Sequence, residues 1–223
     1  MGGVVSGIGR FFNSYDQKGL ATIHTHTREL AWFSKQAYDR NPPKEHRGFL
    51  LIVNNPTVKV YKNDERNLIV IAVRGTQMKE NTNDLYTDLQ VALNSETQTA
   101  RFRVADNITR MIMRKYPGFK IVLTGHSLGG GIVYRLADKY KTLTGEVFNP
   151  AVNTTTLANK EGTASRVKTH IIHGDPVSGV LGRPLPNTQV YSPGYGEERK
   201  KIRAMPLQKR LLHLHALVRF PML

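Results

Sequence analysis

Two runs constrain this chain more than anything else in it. Leu68-Ile69-Val70-Ile71-Ala72-Val73 is apolar at every position, and Ile121-Val122-Leu123 repeats the pattern after Lys120. A strand that is apolar on both faces must be covered on both faces, as a central strand is in a parallel sheet flanked by helices. Each run leads into a glycine-bearing turn: Arg74-Gly75-Thr76 after the first, Gly125 to Gly131 after the second.

The remaining pattern fits that frame. Leu30, Ala31, Phe33, Ala37 and Tyr38 recur at helical spacing between Thr25 and Asp39, and Pro42-Pro43 ends the pattern. Gly48 to Val53 and Thr57 to Tyr61 flank Asn54-Asn55-Pro56 and predict a hairpin. Thr97 to Lys115 predicts an amphipathic helix, with Phe102, Ala105, Ile108 and Ile112 on one side and Arg101, Arg103, Arg110 and Arg114 elsewhere. Ile132 to Tyr140 predicts a further helix, and Glu146 to Phe148 and Val167 to Ile172 predict strands. Strands alternating with helices give an α/β class with a mostly parallel central sheet. The cationic stretch from Gly194 to Arg210 is expected to be a solvated basic loop. Residues 1–20, rich in glycine, are expected to form a flexible arm, and residues 21–223 one domain, since no repeat divides them.

Composition removes several classes of function. The absence of cysteine excludes disulfides, thiol nucleophiles and cysteine-ligated zinc, and suits a reducing compartment. No apolar run reaches the ~20 residues that a membrane-spanning helix requires. Lys and Arg number 32 against 17 Asp and Glu, a net charge of +15, which favours an anionic partner such as nucleic acid or a phospholipid surface. Met1-Gly2-Gly3-Val4-Val5-Ser6 fits the acceptor pattern for myristoylation of Gly2. The histidine pairs 24/26, 170/173 and 213/215 lack the third ligand of a recognised metal pattern, so no metal is expected, and no phosphate-loop or dinucleotide fingerprint is present.

The chemistry resides in Gly125-His126-Ser127-Leu128-Gly129, a G-x-S-x-G with a buried strand before it and a helix after it. Glycines on both sides let the backbone turn so sharply that the serine hydroxyl projects at the end of the strand, beside the positive end of the next helix. A serine hydroxyl needs a histidine to take its proton and a carboxylate to orient that histidine, in the chain order Ser, acid, His for such a turn. Asp175, just past the strand Val167 to Ile172, is the best-placed acid; downstream of it stand only His213 and His215.

Thr124-Gly125-His126-Ser127-Leu128-Gly129-Gly130 resembles the elbow of the class 3 lipase family of α/β-hydrolases. Val70 to Thr76 is similar to that family's strand ending in R-G-T or R-G-S, Asp84-Leu85-Tyr86-Thr87-Asp88-Leu89 resembles its D-W-x-x-D-L segment with tyrosine displaced, and Val147-Phe148-Asn149-Pro150 resembles the strand after the elbow helix. The resemblance implies a single α/β-hydrolase domain and a serine esterase or lipase acting on glycerolipid or phospholipid esters, without metal or organic cofactor. It implies Ser127 as nucleophile and Asp175 as acid, His215 rather than His213 as base through an H-x-L-x-x-F ending, and a packing role for His126. It also implies an oxyanion site made of Thr76 and the backbone of Leu128.

Such an enzyme would work on lipid at an anionic membrane surface and would reside in the cytoplasm or on a membrane periphery; a virion-associated membrane-penetration factor would use the same features together. Two other readings compete. A basic nucleic-acid-binding module would share the charge but needs aromatic platforms or a recognised motif, so no specific nucleic acid is expected. A catalytically inactive hydrolase fold on a membrane would keep the shape without the chemistry. The loop from Gln77 to Asn83 is short and polar for a lid.

Overall fold

The computed structural model describes residues 25–76, 96–152, 165–175, 177, 187–192 and 196–216. The arm with Gly2, the loop from Gln77 to Asn83, the Asp84 to Leu89 segment and the ending from Leu217 to Phe220 lie outside the described residues.

Helix α1 spans Thr25–Gln36 and leads to a short strand β1, Glu45–His46. Strands β2 (Phe49–Asn54), β3 (Val58–Asn63) and β4 (Leu68–Val73) follow, then helix α2 (Glu96–Lys115), β5 (Lys120–His126) and helix α3 (Leu128–Lys139). The chain continues through β6 (Thr144–Phe148), β7 (Val167–Ile172), β8 (Thr188–Tyr191) and helices α4 (Gly196–Ala204) and α5 (Leu207–His215). Among the described residues the strands form one eight-stranded sheet in sequence order. Neighbours from β1 to β4 are antiparallel, and those from β4 to β8 are parallel.

The runs that are apolar on both faces behave accordingly. Every residue of β4 is buried, with β3 on one side and β5 on the other. Alternation sends Ile69, Ile71 and Val73 to the face covered by Ala105 and Ile112 of α2 and Ile132, Val133 and Leu136 of α3. Leu68, Val70 and Ala72 face the other way, onto Leu30 and Phe33 of α1, Ile202 of α4 and Leu214 of α5. The result is three layers, the arrangement that a parallel sheet requires for burial. Across the α2–α3 contact the Arg135 guanidinium lies 3.9 Å from the Phe102 ring centroid, and Asp106 accepts hydrogen bonds from Lys139 (2.8 Å) and Tyr140 (2.7 Å).

The structure departs from the sequence reading in three places. Gly129, Gly130 and Gly131 belong to α3, which begins at Leu128 with no intervening turn. They are glycines because of packing: a Cβ on Gly129 would run into the Val73 backbone carbonyl, and one on Gly130 would come 2.7 Å from the Pro150 side chain. The stretch from Gly194 to Arg210 is no loop over its described part but the helices α4 and the start of α5. Its charges mask one apolar anchor, Ile202, which is 4% exposed, so helical periodicity does not stand out there. Strands β1 and β8 also escape the sequence reading, being two and four residues long.

Candidate active site

The parallel strands deliver their C-terminal ends to one edge of the sheet, and the chemistry-bearing residues gather there. Ser127 sits between β5 and α3 with φ 55° and ψ −129°. This left-handed backbone is strained for a residue with a side chain and persists only where its surroundings hold it. Three hydrogen bonds do so: Ser127 N–H to Phe148 O (3.1 Å), and Ser127 O from Ala151 N–H (2.9 Å) and Gly131 N–H (3.3 Å). Gly125 leaves room for the reversal, since its Cβ would lie 2.7 Å from the Gly129 carbonyl carbon.

Asp175 follows β7 by a tight turn in which Asp175 N–H bonds Ile172 O at 2.9 Å and Gly174 takes φ +86°. His215 closes α5, and its Nδ1 meets Asp175 Oδ1 at 2.7 Å with both side chains buried. A carboxylate accepts, so Nδ1 carries a proton and Nε2 is the ring nitrogen turned away from the acid. Among the described residues, Nε2 of His215 and Oγ of Ser127 are both buried without a hydrogen-bond partner. The fold therefore brings Asp175 and His215 together, and His213 is absent from that pair.

Two residues, one beside Ser127 and one just past the end of β6, hold the His215 backbone. The imidazole of His126 stands 4.8 Å from that of His215, centroid to centroid, and its Nε2 lies 2.8 Å from His215 O. A carbonyl only accepts, so His126 Nε2 donates, and Nδ1 must accept from the Tyr38 hydroxyl at 2.8 Å. Burial above all, with the nearby His215, pushes the His126 pKa down to about 3, which keeps this tautomer neutral. Asn149, just past β6 at φ 40°, donates Nδ2–H to Leu214 O and His215 O (3.1 Å each) and accepts the Ile172 N–H at Oδ1 (2.9 Å). It ties the acid-bearing strand to the histidine-bearing helix. The polar residue ending the strand in Val147-Phe148-Asn149-Pro150 was the only sequence signal for it.

The loop expected to bind the oxyanion lies against Ser127. A Cβ on Gly75 would fall 3.2 Å from Ser127 Cβ. The same Cβ would run into the Tyr38 hydroxyl, and Arg101 of α2 donates Nη1–H to Gly75 O at 3.0 Å. Thr76 follows in the same loop, and Leu128, the first residue of α3, has an N–H with no intrahelical acceptor by position.

His170, one of the paired histidines, is occupied elsewhere in the sheet. Its Nε2 meets Glu146 Oε2 and its Nδ1 the Tyr191 hydroxyl, each at 2.7 Å, with the Phe148 ring stacked on it. No group of three or more metal-ligating side chains is present among the described residues.

A three-layer α/β sheet with a strained serine at a strand–helix turn defines an α/β-hydrolase of the lipase type, and solved structures share the fold. The Lip2 lipase of Yarrowia lipolytica superposes with a TM-score of 0.55 at 16% identity, over 81% of this chain and 80% of that one. A triacylglycerol lipase of Penicillium expansum gives 0.53 at 17%, over 75% and 76%. A triacylglycerol lipase whose catalytic centre is formed by a serine protease triad gives 0.51 at 17%, over 69% and 74%. No curated protein matches the chain in sequence. The model of the Tle-like phospholipase domain matches residues 30–198, and the chain belongs to that phospholipase-like family.

Proposed function

We propose that the protein is a serine esterase that cleaves acyl esters of glycerolipids or phospholipids through an acyl-enzyme on Ser127. The observation that carries this is the bond from His215 Nδ1 to Asp175 Oδ1, which leaves His215 Nε2 free to act as a base; Nε2 and Ser127 Oγ are both buried without a hydrogen-bond partner among the described residues and do not bond each other. His215 Nε2 takes the hydroxyl proton as Oγ attacks the ester carbonyl. Asp175 holds the ring and stabilises the imidazolium. The tetrahedral oxyanion is met by the N–H groups of Thr76 and Leu128, for which one donor is commonly worth ~10²–10³ in rate. His215 then passes the proton to the departing alcohol, and water repeats the sequence to release the acid.

The family and the similar triacylglycerol lipases support this reading. The test is a fluorophosphonate probe and a chromogenic short-chain ester on the full chain. Ser127→Ala should remove both labelling and turnover; labelling of another serine or an intact Ser127→Ala rate would place the nucleophile elsewhere, and a parent chain that neither labels nor turns over would leave an inactive hydrolase fold.

The substrate also argues for a membrane. Each Lys or Arg near an anionic leaflet adds ~1 kcal/mol of attraction, and a single myristoyl chain needs such a second signal for stable anchoring. Gly2 acylation together with exposed cations such as Arg199, Lys200 and Lys201 on α4 would supply both. Liposome binding that ignores both ionic strength and Gly2→Ala would reduce the protein to an esterase acting in solution.

A further inference from the structure

We propose that Arg74 and Arg101 form an anion subsite beside Ser127 that takes the phosphate group of a phospholipid substrate. The proposal rests on the reading of Ser127 as the acyl-transfer nucleophile.

The two arginines flank the loop that abuts the nucleophile. Arg74 immediately precedes Gly75, whose Cβ position is 3.2 Å from Ser127 Cβ, and Arg101 reaches the same glycine from α2 through its 3.0 Å bond to Gly75 O. A guanidinium carries five N–H donors, and that bond uses one. Arg74 Nε is buried with no hydrogen-bond partner, and neither guanidinium is paired with a described carboxylate. Arg66 does find an acid: its Nη1 donates to both carboxylate oxygens of Glu29, at 2.9 and 3.2 Å.

Two cations held close with no counter-ion among the described residues are unfavourable, and burial together with Arg74 pushes the Arg101 pKa down. Lys59, whose own pKa is lowered by burial and by Arg74, adds a third cation on that side, with Asp39 the acid acting on it. A bound anion relieves that repulsion. Phosphate suits it, because planar guanidinium forks bond phosphate oxygens in pairs. In a glycerophospholipid the scissile ester and the phosphate share one glycerol unit, so an acyl group on Ser127 leaves the phosphate within the neighbourhood of this loop. A triacylglycerol offers nothing for the pair to bind.

The experiment uses monomeric dihexanoyl phosphatidylcholine and dihexanoylglycerol, so that bilayer charge plays no part. Arg74→Gln and Arg101→Gln, made separately, should each lower the ratio of kcat/KM for phospholipid over diacylglycerol at least tenfold. Arg114→Gln, exposed near the far end of α2, should leave the ratio within twofold. An unchanged ratio in both subsite variants overturns the proposal while the Ser127 reading stands. Inorganic phosphate should inhibit diacylglycerol hydrolysis less in the variants; if only that inhibition weakens and the ratio holds, the site serves free phosphate and the headgroup assignment falls. A readout free of turnover is titration of the phospholipid into Ser127→Ala with and without Arg74→Gln. Tenfold weaker binding upholds the subsite even if no ester is cleaved, and equal binding overturns it.

Discussion

His126 donates its Nε2–H to the backbone carbonyl of His215 at 2.8 Å. The residue next to Ser127 thereby holds the main chain of His215, and Tyr38 at Nδ1 fixes which tautomer does so. The elbow and the histidine of α5 are 88 residues apart in sequence, from Ser127 to His215, yet they share one buried hydrogen-bond chain.

Substituting His126 by Phe keeps the volume and removes the bond, leaving Tyr38 Oη and one His215 carbonyl contact unsatisfied in the interior. Each buried polar group without a partner costs about 1–3 kcal/mol. His126→Phe should therefore lower stability in urea by that order and reduce kcat more than it changes KM. His126→Gln should recover part of both, since its amide can still donate to the carbonyl.

Asn149→Ala deletes three hydrogen bonds and puts alanine at φ 40°. The expected loss is about 2–4 kcal/mol by chemical denaturation, the sum of a few net hydrogen bonds and the backbone strain. Turnover should fall as well in the fraction that remains folded, because His215 loses half of what holds its carbonyl. A variant as active and as stable as the parent would show that His126 alone suffices.

Acid should unfold the protein in two identifiable steps of cause. His126 titrates at about 3 when folded and at the ordinary 6.5 when unfolded, so below 6.5 the unfolded chain binds a proton that the folded one refuses. Stability from this group is fully present above pH 6.5 and is lost as pH falls toward 3, at up to about 1.4 kcal/mol per pH unit. Burial lowers the His170 pKa too, which adds in the same direction. Below the ordinary carboxylate range Glu146, held down by its His170 partner, adds a further loss. Denaturation curves at pH 7.5 and pH 5 check the slope, which should be shallower in His126→Gln.

Gly129→Ala tests the close approach of α3 to β4. The new methyl meets the Val73 backbone carbonyl, which no rotamer change can relieve. Overpacking of this kind costs about 1–3 kcal/mol and shifts the backbone. Since Leu128 precedes it, turnover should drop along with stability, and an unaffected rate would place the oxyanion donor elsewhere.

Local chemistry was enough for much of this protein. Leu68 to Val73 is buried on both faces by its own composition, and the glycines around Ser127 announce a turn that bulkier residues cannot make. The position of Asp175 just past β7 could be read, because the C-terminal ends of parallel strands gather at one edge of the sheet. Contacts between distant segments were not legible. Tyr38 looked like one more apolar position on a helix, Asn149 like the end of a strand, and Arg101 like a solvated charge on α2. Their roles depend on which chain segment arrives opposite them, and no local spacing records that. The basic stretch after Gly194 shows the same limit: its charges are local, but Ile202 and Leu214 find the α1 face only when the sheet is assembled. Sequence by itself determined the α/β class, the tight turn at Ser127 and the strand that leads to Asp175, because each follows from period, burial and backbone freedom within a few residues. Only tertiary structure decided that His215 stands on Asp175 with its carbonyl held by His126 and Asn149, because those bonds join strands and helices through packing that is settled across the whole sheet.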